Sequence, residues 1–177
     1  MTDADLFEAF VRRYQDMVFA TAVRLVGNPT EAEDIAQTVF MRAFQRFEEI
    51  GPSPTAGGWL KTVTRNVSLN HLTRYRRRWR FFSELAAPDA TAEEHDPSEW
   101  LAVAPAVGDA LERSELHDQV ERALRRLPDH QRVPLVLFHF EDLSYQDIAD
   151  ALGVSLGKVK TDIHRGREAL GRLLKAE

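Results

Sequence analysis

The sequence predicts an all-α protein of two small helical domains joined by a flexible acidic linker. Three observations lead there. Apolar residues recur at three- and four-residue spacing along most of the chain, and no alternating β-branched run stands out. Residues 83–112 are rich in Ala, Pro and acids without a sustained period. The charge is divided into blocks that the net value of −5 over 177 residues conceals.

The first helix carries Phe7, Phe10, Val11, Tyr14, Val18 and Leu25 on one side and ends near Gly27-Asn28-Pro29. Thr30 and Glu33 have capping-box spacing and are expected to open the second helix, with Ile35, Val39, Phe40, Ala43, Phe44 and Phe47 as its apolar face. Its polar face mixes Glu33, Asp34, Gln37, Met41 and Arg42, without the basic bias of a DNA reader. The stretch GPSPTAGG, residues 51–58, interrupts the helical pattern. A third helix is predicted from about Trp59 to Arg78, with Leu60, Val63 and Val67 as its stripe. Helices resume at about Ser114, then at Pro128–Phe140, then in the stretch LSYQDIADALGVSLGKVKTDIHRGREAL. These elements place domains at 1–82 and 113–177, with the linker at 83–112.

That last stretch has the pattern of a helix-turn-helix. Ser144 can cap a short helix, Gly153 supplies the freedom a tight turn needs, and Ser155 caps the next helix. At about 100° per residue, Val159, Ile163, Gly166 and Leu170 share one face. Gly157, Lys158, Thr161, His164 and Arg165 fall opposite, with Lys160 and Arg167 on the flanks within reach of phosphates. Asp162 and Glu168 are expected on or near the outer side. Such a face suits a recognition helix in the major groove.

The charge blocks agree with this. Between Ile50 and Phe82 stand Lys61, Arg65, Arg74, Arg76, Arg77, Arg78 and Arg80 with no acid. Between Ser83 and Glu112 there are acids and no Lys or Arg, and basic residues lead again from Gly153. Polyanion binding follows local charge, so the blocks outweigh the sum. In the first of them, Trp59, Tyr75, Trp79, Phe81 and Phe82 accompany the cations, which is what unstacked bases on a melted strand require. Asn66 and Asn70, four apart, share a face and can address base edges. The loop before Trp59 could shape a pocket for an unstacked base.

Other classes find little support. The chain has no Cys, which removes thiolate metal sites and disulfides. The N-terminal residues lack the pattern of a signal peptide, no apolar run approaches a membrane span, and a cytoplasmic location is expected. The six His form no HExxH or i, i+4 pair, and no nucleotide-binding Gly loop is present. No catalytic residue, metal or cofactor is expected.

These motifs, in this order, resemble the bacterial RNA polymerase sigma factors of the extracytoplasmic-function (ECF) group. EAEDIAQTVFMRAFQRF is similar to their region 2.1–2.2, WLKTVTRNVSLNHLTRYRRR to region 2.3–2.4, and LPDHQRVPLVLFHFEDLSYQDIADALGVSLGKVKTDIHRGREAL to region 4. The resemblance implies that Asp34, Gln37, Phe40 and Arg42 grip the β′ clamp of core RNA polymerase. It implies that the loop 48–58 with Lys61, Arg65, Asn66, Asn70, Arg74, Arg76 and Arg77 reads and holds the melted −10 element. Ser155, Lys158, Lys160, Thr161, His164, Arg165 and Arg167 would read the −35 element or its phosphates. The helix at Pro128–Phe140 would dock on the β flap, and the acidic linker would thread toward the active-site and RNA-exit channels. Control by an anti-sigma factor, with no membrane insertion, is also implied. Two departures stand out: a loop 51–58 of small residues, and Gly157-Lys158-Val159 where Gly-Thr-Val is commoner. The alternative reading is a stand-alone helix-turn-helix regulator that dimerises through residues 1–82 and binds a palindrome.

Overall fold

The structure, a computed structural model, describes residues 2–72 and 110–176. The chain divides into two compact units, Met1–Arg78 and Trp79–Glu177. All regular structure among the described residues is helical. None of the described helices is long and apolar enough to cross a membrane.

In the first unit, helix α1 spans Asp3–Val26. Thr2 and Asp5 close a capping box at its start, the Asp5 carboxylate accepting from the Thr2 N–H at 2.7 Å. Gly27 ends it at φ 72°, in the left-handed region where a Cβ is costly. Helix α2 spans Pro29–Gln45, and here the expected cap is displaced by two residues. Asn28 Oδ1, not Thr30, accepts from the N–H groups of Thr30 and Glu31 at 2.9 and 3.3 Å. Pro29 explains the shift: its fixed φ and missing N–H suit the first helical position, which leaves Asn28 as the cap. Arg46 interrupts the helix, and a single turn, α3, follows at Phe47–Ile50.

Helix α4 spans Ala56–His71. Its buried stripe is Leu60, Thr64 and Ser68 with Leu69, whereas Val63 and Val67 of the expected stripe are half-buried. Within it Thr64 Oγ1 donates back to the Leu60 carbonyl at 2.7 Å, whereas the buried Ser68 Oγ has no hydrogen-bond partner among the described residues. The expected continuation from 73 through Arg78 lies outside the described residues. α1 packs on both α2 and α4, which also pack on each other. Val18, Ala22, Leu25, Ala32, Val39, Ala43 and Leu60 are fully buried between them. Burial of such side chains, about 1.5–3 kcal/mol for each large one, is what holds the three helices together.

In the second unit, α5 spans Ala110–Arg126, beginning ahead of the expected Ser114. The rest of the linker expected at 83–112 lies outside the described residues. Helix α6 spans Asp129–His139, α7 Tyr145–Leu152 and α8 Leu156–Lys175. α8 is the central element and packs against α5, α6 and α7. It comes close to α6 at Gly166, where a Cβ would stand 3.1 Å from the Gln131 carbonyl oxygen. Val133, Leu135, Val136, Leu137, Ile148, Leu152, Val159 and Ile163 form this unit's core. Beside them Arg132 is buried, donating to the Leu127 carbonyl at 2.9 Å and paired with Asp129.

Candidate nucleic-acid and polymerase interfaces

The turn between α7 and α8 is built by three local devices. Ser144 Oγ accepts from the Asp147 N–H at 3.1 Å, and Ser155 Oγ accepts from the Lys158 N–H at 3.2 Å. Between them Gly153, at φ 66°, turns the chain, and both its N–H and that of Val154 bond to the Ala149 carbonyl. The predicted inner face of α8 is buried: Val159, Ile163, Gly166 and Leu170. Opposite it, Ser155, Gly157, His164 and Arg165 are exposed, and Lys160 and Thr161 are half-exposed. His164 Nε2 stands 3.6 Å from Glu168 Oε1 across one turn.

Two basic residues of the expected reading face are placed differently. Arg167 is not on a flank but buried at 6% exposure, its Nε donating to His139 Nε2 at 3.2 Å and its guanidinium 5.6 Å over the Phe138 ring. Lys158 folds back along α8 to Asp162, with Nζ 2.8 Å from Oδ2. Asp162, expected on or near the outer side, is itself buried at 5% exposure. The cause is the same in both cases. Gly166 lets α6 come close, so the residues beside the apolar stripe are covered as well.

Electrostatics follow the burial. Burial, and then the charge of Arg167, push His139 down to about 4, so it is a neutral acceptor for that guanidinium. His130, on the first turn of α6, is lowered chiefly by burial, against the attraction of Asp162. Asp162 is raised because burial outweighs the stabilising hydrogen bond and charge of Lys158.

On the first unit, a groove of about 850 Å³ runs between α1 and α2. Phe7, Val11, Phe19, Phe40, Met41 and Phe44 make it apolar, and Glu33 and Gln37 edge it. Met41 and Phe44 are 65% and 62% exposed, unusual for large apolar side chains on a bundle helix. Of the residues expected to grip polymerase, Gln37 and Phe40 line this groove, and Asp34 and Arg42 are exposed outside its lining. Sequence pattern alone set Phe44 on the apolar face. It packs edge-on against Phe7 at 5.0 Å between centroids, yet most of its ring faces outward.

On α4, Asn66 and Asn70 are exposed, and Lys61 and Arg65 are half-buried. Arg74, Arg76 and Arg77 lie outside the described residues, as do Tyr75, Trp79, Phe81 and Phe82. Trp59 is half-buried under the Arg46 guanidinium, 5.8 Å from the ring centroid. Two glycines of the stretch 51–58 answer to packing: a Cβ on Gly51, before α4, would meet the Phe47 carbonyl oxygen at 2.8 Å, and one on Gly57, in the first turn of α4, the Tyr14 ring at 3.2 Å. Among the described residues no group of three or more His, Asp or Glu is gathered to hold a metal ion.

The family models Sigma-70 region 2 and Sigma-70, region 4 match residues 10–78 and 117–170, one on each helical unit. The ECF RNA polymerase sigma factor SigW of Bacillus subtilis is 31% identical over 98% of this chain and 91% of its own. This chain belongs to the ECF sigma factors. Another relative is the RNA polymerase sigma-H factor of Pseudomonas aeruginosa, 32% identical over 97% of this chain and 88% of its own. The sigma-E factor of Streptomyces coelicolor is 35% identical over 94% of this chain and 83% of its own. As an ECF sigma factor, the chain has its region 2 match on the grooved bundle α1–α4 and its region 4 match on the helix-turn-helix unit.

Proposed function

We propose that this sigma factor binds core RNA polymerase and directs promoter-specific transcription initiation, reading a duplex −35 element with α8 and a melted −10 element with α4 and the adjoining basic stretch. The observation that carries this reading is the succession on one chain of a bundle with an exposed apolar groove and a helix-turn-helix whose second helix turns Arg165 and Lys160 outward. The first suits a protein partner and the second a phosphate backbone. Residues 1–82 serve polymerase and the −10 element, 113–177 the −35 element, and 83–112 connect them. The groove of Gln37, Phe40, Met41 and Phe44, with Asp34 and Arg42 beside it, receives the β′ clamp, and the second unit meets the β flap. An anti-sigma factor covering both units would control the protein, and the protein works in the cytoplasm.

Two weak readers on one tether gain effective concentration when polymerase fixes their spacing. The free protein is therefore expected to bind duplex promoter DNA poorly and the holoenzyme to bind it well. In vitro transcription with core polymerase and a randomised promoter library tests this: enrichment of an asymmetric two-part motif is expected. A palindrome bound tightly by a free dimer in a gel shift at physiological salt would instead establish the stand-alone regulator.

A further inference from the structure

α8 begins with a cation that does not face outward. Lys158 sits in its first turn, the part of a recognition helix that enters the groove, yet its side chain is only 13% exposed. Its Nζ lies 2.8 Å from the Asp162 carboxylate, one turn on, and that carboxylate is 8% exposed. Neither group is a solvated surface charge. Beyond Lys158, the Asp162 carboxylate interacts electrostatically with His130 of α6 and with Arg165, and its burial is the reason it needs a cation near. A buried carboxylate whose partner swings away is left uncompensated, and that penalty holds Lys158 inward. We propose that Asp162 is a specificity-determining residue of the −35 reader, which acts by withholding Lys158 from DNA.

The consequence is a particular front to α8. With Lys158 folded back, its first turns offer Ser155, Gly157 and Thr161, all small and neutral, with open space around the Gly157 Cα. The outward charge is left to Lys160 and Arg165. Lysine is a common reader of guanine edges and a strong phosphate ligand. Its sequestration removes one such contact and lowers the non-specific affinity of the second unit.

The inference rests on the reading of α8 as the −35 helix, and the test separates the two. The salt dependence of holoenzyme binding to a promoter fragment is measured for wild type, Asp162→Asn, the double variant Lys158→Gln/Asp162→Asn, and Arg165→Ala, each first checked for an intact thermal transition. Each phosphate contact steepens the slope of log K against log salt by about 0.9, about a 3-fold greater loss of affinity between 50 and 200 mM salt. Asp162→Asn should steepen the slope by about one contact and tighten binding at low salt. The double variant, with no cation to release, should keep the wild-type slope. Arg165→Ala should flatten it. A wild-type slope for Asp162→Asn while Arg165→Ala flattens it overturns the role of Asp162 alone, as does a double variant flatter than wild type. No effect from either single variant overturns the reading of α8, and the proposal with it.

Discussion

Arg167 donates from Nε to His139 Nε2 at 3.2 Å, tying the middle of α8 to the end of α6. The bond requires a neutral imidazole, since a protonated one has no acceptor nitrogen and would face a second cation. The native ring holds no proton until about pH 4, whereas an unfolded His takes one near 6.5. Above 6.5 both states are neutral and the contribution is complete. As pH falls from 6.5 toward 4, the unfolded chain gains a proton that the native state refuses, and stability is lost. The thermal midpoint of the second unit should therefore fall over this window, and His139→Gln, which keeps an acceptor for Arg167, should flatten the fall. Equal pH dependence in the two proteins would refute this.

The two arginines 165 and 167, adjacent in any alignment of charges, should behave oppositely. Arg167→Ala removes a buried hydrogen bond and the packing over Phe138, and is expected to cost about 2–4 kcal/mol in chemical denaturation. Arg165→Ala, on an exposed site, should change stability by less than about 0.5 kcal/mol and weaken promoter binding by about 1–3 kcal/mol. Swapped effects would reverse the assignment of the two faces.

Met41 tests the groove. At 65% exposure it contributes little to the bundle, so Met41→Asp should leave the thermal midpoint nearly unchanged. Affinity for core polymerase should fall at least about 10-fold, because a carboxylate would be desolvated against the partner. Fluorescence titration with core enzyme measures it, and unaltered affinity would remove the groove from the interface.

Gly166→Ala weighs helix propensity against closeness. Alanine gains up to about 1 kcal/mol in a helix interior. Its Cβ would stand 3.1 Å from the Gln131 backbone carbonyl, next to the buried Arg132, so α6 has little room to give. A net loss of about 1 kcal/mol is expected, and a stabilised variant in urea unfolding would show that the helices can part.

Most of the helices could be read from the sequence because helical period, caps and breakers are local. Gly27, Ser144, Gly153 and Ser155 do what their types predict, since each acts within four residues of itself. The cap of α2 was misplaced for an equally local reason, the preference of Pro29 for the first helical position. Tertiary structure decided the depth of each polar residue. Leu60, Thr64 and Ser68 lie one turn apart, and only the packing of α1 and α2 made that row the buried one instead of Val63 and Val67. On α8, the angle per residue places Asp162 and Arg167 near the edge of the apolar stripe, where sequence is neutral between inside and outside, and Lys158 on the outward side one turn before Asp162. The close approach of α6 at Gly166 settled it, burying Asp162 with Lys158 and Arg167 with His139. Periodicity says which way a side chain points, and only the distance to the neighbouring helix says whether water can reach it.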